Sequence, residues 1–117
     1  MPVKKPIARL QIRVVFDSSL VIGPGKIDLL EHVRDTGSIS AAGRRMKMRY
    51  RRAWDLVAAM TQHFDTPVVE TSKGGAGGGG AKLTAMGEEV IARYRRIQAQ
   101  AAEALDAEVR ALHRRLA

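Results

Sequence analysis

Polar and apolar residues alternate along Arg9-Leu-Gln-Ile-Arg-Val-Val-Phe16, placing Leu10, Ile12 and Val14 on one face. That spacing predicts a half-buried strand over 9–16. Gly23-Pro-Gly25 interrupts the pattern, and beyond it the period lengthens. Ile27, Leu30 and Val33 predict a helix over 25–36, with Asp28 and Glu31 in its early turns and Gly37 where a terminating glycine belongs. Ser38 is a candidate N-cap for a short helix over 38–46, with Ala41, Ala42 and Met46 as its apolar contacts. The clearest signal is a third helix over 49–64. Ala53, Val57, Met60 and Phe64 fall at i, i+4, i+7 and i+11, with Trp54 at the edge of the stripe.

Pro67-Val-Val-Glu-Thr71 predicts a short strand. Lys73-Gly-Gly-Ala-Gly-Gly-Gly-Gly-Ala-Lys82 follows, then Leu83-Thr84. Glycines this dense neither fill a core nor hold a helix, so the segment reads as a loop tip between two short strands. Thr84 is placed to cap a last helix over about 85–115. In that helix Leu105, Val109, Leu112 and Leu116 form one stripe, while Val90, Ile97, Ala104 and Ala111 recur every seven residues. The expected order is β-α-α-α-β-β-α: a mainly α chain with a small β-hairpin, the layout of a winged helix-turn-helix. Residues 1–8 are expected to be a flexible basic N-terminus, and 9–117 a single domain.

Composition and charge sharpen this picture. The chain has no Cys, which excludes disulfides, thiolate zinc sites and a cysteine nucleophile. No apolar run approaches the ~20 residues of a membrane span, and no unbroken apolar stretch follows the basic start, so a soluble cytoplasmic protein is expected. The net charge of +8 favours polyanions. Its distribution says more: Arg44-Arg-Met-Lys-Met-Arg-Tyr-Arg-Arg52 carries six cations and no anion, and residues 1–13 carry four and none.

The basic run covers the turn and leading end of the third helix, where a helix-turn-helix meets a duplex. Arg49, Arg51 and Arg52 are candidates for groove and phosphate contact, because a guanidinium grips guanine bidentately. Tyr50 would touch a phosphate or pack beneath the helix; an Arg-rich solvated face is the bland alternative. Trp54 belongs with the core. Gly75, Gly77 and Gly80 satisfy G-x-G-x-x-G, but a dinucleotide-binding turn opens into a helix and this loop leads into a strand. A Walker loop needs Lys directly after Gly, and Ala81 intervenes. A wing flanked by Lys73 and Lys82 fits better, with a plain connector as the alternative. Asp28 and His32, at i and i+4, are weak as a metal pair, and no nucleophile–base arrangement is present. No catalytic residue, metal or cofactor is therefore expected. The stripe on the last helix suits a second copy. A basic membrane helix is the weaker reading, since that helix lacks Trp and Phe anchors.

Gly37-Ser-Ile-Ser40, Tyr50-Arg-Arg-Ala-Trp54, Val68-Val-Glu-Thr71, Gly74–Ala81 and Leu83-Thr84 with Gly87 resemble the N-terminal DNA-binding domain of the ModE-type molybdate-responsive regulators, itself related to LysR-type winged helices. The similarity spans about residues 10–105. It implies a dimeric transcription factor whose recognition helix bears Tyr50 to Trp54 and whose wing is Gly74 to Gly80, with the first strand and last helix helping to form the dimer. The paired oxyanion-binding modules that usually follow this domain are not in this chain, so molybdate or tungstate sensing does not carry over. The family's Gly-Met-Ser turn before the recognition helix is Lys47-Met-Arg49 here. Lys47 should then hold an uncomfortable backbone conformation, and Arg49 cannot accept capping bonds.

These readings converge on a non-enzymatic regulator that binds duplex DNA at an imperfect palindrome as a homodimer, with no membrane partner and no small-molecule effector inferable from the chain. The expected DNA-binding residues are Ser38, Ser40, Arg44, Arg45, Lys47, Arg49, Tyr50, Arg51, Arg52, Lys73, Gly77, Gly78 and Lys82. Leu105, Val109, Leu112 and Leu116 are expected at the dimer interface. The alternative is a protein- or RNA-interaction module working with a separate oxyanion-sensing subunit.

Overall fold

The computed structural model describes residues 7–17, 19–72 and 80–117. A short antiparallel pair opens the fold, β1 (Val14–Val15) with β2 (Val21–Ile22), in the register Val14↔Ile22. Three helices follow: α1 (Pro24–Thr36), α2 (Ile39–Arg45) and α3 (Tyr50–His63). A second antiparallel pair, β3 (Val69–Ser72) and β4 (Gly80–Leu83), is registered Val69↔Leu83 through Ser72↔Gly80. The chain closes with α4 (Ala85–Ala104) and α5 (Asp106–His113). Helices dominate and a small hairpin follows the third, as a winged helix-turn-helix requires.

Local chemistry sets the helix ends. Pro24 occupies the first turn of α1, where its missing N–H costs nothing. Gly37 terminates that helix at φ 71°, a left-handed conformation glycine adopts without penalty. Ser38 caps α2, its Oγ accepting from the Ala41 amide at 3.1 Å. Thr36 braces the same corner, donating to the His32 carbonyl and accepting from the Ser38 amide. Thr84 caps α4 through the Gly87 amide while donating to the Pro67 carbonyl at 2.6 Å.

Apart from Tyr94 the buried core is aliphatic, with Met60 its one thioether. Ile27, Leu29, Leu30 and Val33 of α1 meet Ile39 and Ala42 of α2, and Ala53, Val57 and Met60 of α3. Val68, Val90, Ile91 and Tyr94 close the other side. Tyr94 is almost fully buried, and its hydroxyl donates to the Ile12 carbonyl at 2.6 Å, tying the N-terminal segment to α4. Arg95 clamps α4 to α1: it bonds Asp28 at 2.8 Å and Glu31 at 2.5 Å, and is steadied by Gln98.

Three boundaries differ from expectation. The strand expected over 9–16 shrinks to Val14–Val15. Leu10, Ile12 and Val14 do alternate with exposed Gln11, Arg13 and Val15, but residues 8–13 pair with no second strand. The partner of Val14–Val15 is Val21–Ile22, reached through a turn with Ser19 at φ 75° that the hydropathy pattern did not announce. The last helix, expected unbroken over 85–115, stops at Leu105 (φ −102°, ψ 3°), restarts at Asp106 and ends at His113. Asp106 and Glu108 suit the first turn of a new helix, where acids complement the free amides. The observed order is β-β-α-α-α-β-β-α-α.

Candidate nucleic-acid interface

The turn joining α2 to α3 is tight and strained. The Met46 amide bonds the Ala42 and Gly43 carbonyls, Lys47 bonds Arg44, and Met48 folds back to Gly43 at 2.9 Å. Lys47 sits at φ 57°, in the left-handed region, as its place in this turn led us to expect. Arg49 stands at the N-cap of α3 and makes no side-chain capping bond. The first amides of α3 therefore lack a protein side-chain acceptor at the position where one normally sits. The helices cross closely at Gly43, where an added Cβ would lie 2.9 Å from the Ala53 Cβ.

The first turn of α3 spreads three kinds of surface around its axis. Tyr50 and Trp54 face the wing, their rings 6.0 Å apart, and line a cleft of about 250 Å3 shared with Ser38, Ser40, Ser72 and Gly80. Arg51 points straight out, its side chain 89% exposed, held only by a loose 3.6 Å ion pair to Asp55. A pair this exposed contributes little, so the guanidinium is available to another partner. Arg52 turns to the opposite flank, towards Lys26 and Arg13.

The remaining candidate residues are distributed around this centre. Arg44 and Arg45 are exposed in the last turn of α2, where Arg44 donates to Ser40 Oγ at 3.2 Å. Ser38 spends an acceptor on its cap, which leaves its hydroxyl proton free to donate. Lys47 and Arg49 are exposed on the turn. Lys82 is exposed on β4, opposite Glu70 of β3. Lys73, Gly77 and Gly78 lie outside the described residues. The wing base is fixed to the helix-turn-helix: the Ala81 amide bonds the Gly37 carbonyl at 2.8 Å.

Trp54 packs on the core edge, as the stripe predicted, but its indole N–H is buried without a partner among the described residues. Asp28 pairs with Arg95 at 2.8 Å, and no group of three or more potential metal ligands occurs among the described residues. None of the helices among the described residues is long and apolar enough to cross a membrane. The stripe on the last helices is uncovered. Leu105 is 46% exposed and Leu112 and Leu116 each 72%, Val109 is half-buried, and no residue of α5 is buried. With the break at Leu105, Val109 and Leu112 stay on α5 while Leu116 falls beyond its end.

A short capped helix, a tight turn, a cationic helix start and a hairpin tied beside it define the winged helix-turn-helix class. Residues 25–88 match the family of bacterial regulatory helix-turn-helix proteins of the lysR type, and the chain belongs to that family. It is 45% identical over 84 residues to the molybdenum-pterin-binding protein MopB of Rhodobacter capsulatus, covering 72% of this chain and 31% of that protein. It is 36% identical over 87 residues to the DNA-binding transcriptional dual regulator ModE of Escherichia coli K12, covering 74% and 33%. The similarity to ModE-type proteins expected from the motifs is thus present, and the chain spans about a third of the length of these relatives. Among solved structures, the DNA-binding domain of CbnR, determined in complex with DNA, superposes with a TM-score of 0.59 at 22% identity, covering 75% of this chain and 95% of that one. Full-length LysG of Corynebacterium glutamicum superposes at 0.56 and 21% identity, covering 81% and 30%. Both share the fold.

Proposed function

We propose that this chain is a sequence-specific, duplex-DNA-binding transcriptional regulator, cytoplasmic and without catalytic activity of its own, that acts as a homodimer. The observation that carries the proposal is the leading end of α3: an outward Arg51 at a helix start with no side-chain cap, beside a hairpin pinned to the same corner. In the proposed complex α3 enters the major groove, Arg51 reads base edges, and Arg44, Arg45, Lys47, Arg49 and Lys82 meet phosphates. Ser38, Ser40 and Tyr50 line the cleft towards the wing and take the adjoining backbone. Lys73, Gly77 and Gly78 are assigned to the same DNA contact by their place in the sequence. Leu105, Val109, Leu112 and Leu116 pair with a second copy, placing two recognition helices on an imperfect palindrome. The relatives named as regulators support a non-enzymatic role.

Selection of bound sites from random duplexes, combined with the mass of the protein in solution, tests this. The expected result is a dimer and an imperfect palindrome whose half-site centres lie about one helical turn, or a multiple, apart. Binding to every duplex alike, even at low salt, would overturn the sequence-specific reading.

A further inference from the structure

The flank of α3 opposite the wing holds a cleft of about 370 Å3 lined by Arg13, Lys26 and Arg52. These cations come from three separate parts of the chain: the segment before β1, the first turn of α1, and the first turn of α3. No carboxylate lines the cleft, and none of the three cations joins the ion pairs formed among the described residues. Like charges collected with no counter-charge are unfavourable unless something else completes the site. The Lys26 ammonium feels this directly. It is held below its ordinary range, first by burial and then by Arg13 and Arg52.

The backbone around the cleft has the same character. Gly23 caps α1 with no side chain to accept from its free amides, and no acid occupies the first turn. Arg13 lies against Gly23, its Cγ 3.4 Å from where a Cβ would stand. The α-carbon of Gly25 faces open space. Lys26 is oriented by a 2.5 Å bond from its ammonium to the Val21 carbonyl.

We infer that Arg13, Lys26 and Arg52 form a binding site for a tetrahedral oxyanion, a phosphodiester of the DNA backbone, on the side of the recognition helix away from the wing. The inference rests on the DNA-binding reading above. A helix lying in the major groove has a phosphate strand on each side. Here the wing flanks α3 at Tyr50 and Trp54, and the cleft flanks it at Arg52 and Leu56. Each strand is then gripped by a separate part of the protein, with Arg51 between them.

Two measurements test the site on the full chain: the salt dependence of binding to a selected duplex, and an NMR titration with inorganic phosphate. Arg13→Gln and Lys26→Gln are compared with the parent. Arg13→Gln spares the Lys26–Val21 bond and so guards against misfolding of the second variant. Each is expected to lower the slope of log K against log salt by about one for each phosphate no longer neutralised, weakening selected and random duplexes alike. An unchanged slope, with phosphate shifts at Gly25 and Lys26 abolished in the variants, would support the same site serving a free oxyanion. An unchanged slope and no phosphate response in the parent would overturn the inference even if Arg51→Ala still impairs DNA binding. If the parent binds no duplex, the DNA reading fails, and the phosphate titration alone decides the cleft.

Discussion

Lys47 and Arg49 occupy positions where helix-turn-helix geometry favours other residues. A left-handed backbone costs an L-residue about 1–2 kcal/mol, and an N-cap without an oxygen forgoes about 1 kcal/mol. Both positions carry an exposed cation instead, on the surface proposed to meet phosphate. Lys47→Gly and Arg49→Ser should each raise stability by up to about 1 kcal/mol in urea unfolding while weakening duplex binding; tighter binding in either variant would contradict a phosphate role. Arg51 has a different assignment. Arg51→Ala should cost about 1–3 kcal/mol on the selected site and less on random DNA, whereas Lys82→Ala should weaken both equally. Competition binding with the two duplexes separates these outcomes. The strain at Lys47 was expected through the family resemblance, which sets this lysine where related turns carry glycine. The split of α3 into a Tyr50 flank, an Arg51 crest and an Arg52 flank was not, since Arg13 and Lys26 arrive from distant parts of the chain.

Helices proved more legible than strands. The stripe of Ala53, Val57 and Met60 needs only its own spacing, and Ser38 and Thr84 cap where their side chains dictate. A strand depends on its neighbour: the alternation over 9–14 sorted the side chains as expected, yet most of the segment found no ladder. The break at Leu105 lies in an Ala-rich stretch without Gly or Pro, so no residue announced it. Close packing between elements was equally hidden. At Gly43→Ala the new methyl meets Ala53, and the variant should lose about 1–2 kcal/mol despite better helix propensity. Adding Ala53→Gly should restore part of that loss in thermal melts, as a double-mutant cycle requires of touching residues. Gly87→Ala is the harsher change, because its Cβ would collide with the Val68 carbonyl, a backbone atom that cannot swing aside.

Across the whole molecule, charge and shape separate two tasks. The cationic end of α3 and the wing form one surface, while the apolar stripe of α4 and α5 is left uncovered by its own chain. Removing residues 106–117 takes away no buried side chain. The shortened protein should still melt cooperatively, at a temperature lowered only by the lost association and no longer dependent on protein concentration, and should sediment as a monomer whose affinity for a half-site approaches its affinity for the palindrome. Tyr94 adds a pH limit. Burial pushes its phenol above the ordinary value, against the pull of Arg95, so the folded state favours the neutral form. Its contribution is complete below about pH 10 and fades as pH rises through the folded value. Alkaline unfolding should therefore be less steep in Tyr94→Phe.

The bond from the Ala81 amide to the Gly37 carbonyl has a consequence for how DNA is judged. Because it locks the base of the β3–β4 hairpin to the corner from which α2 departs, the spacing between that base and α3 is set inside the protein before any duplex arrives. In the proposed complex this makes a fixed caliper: a duplex whose groove does not match that spacing must deform to fit, and that cost falls on base pairs no side chain touches.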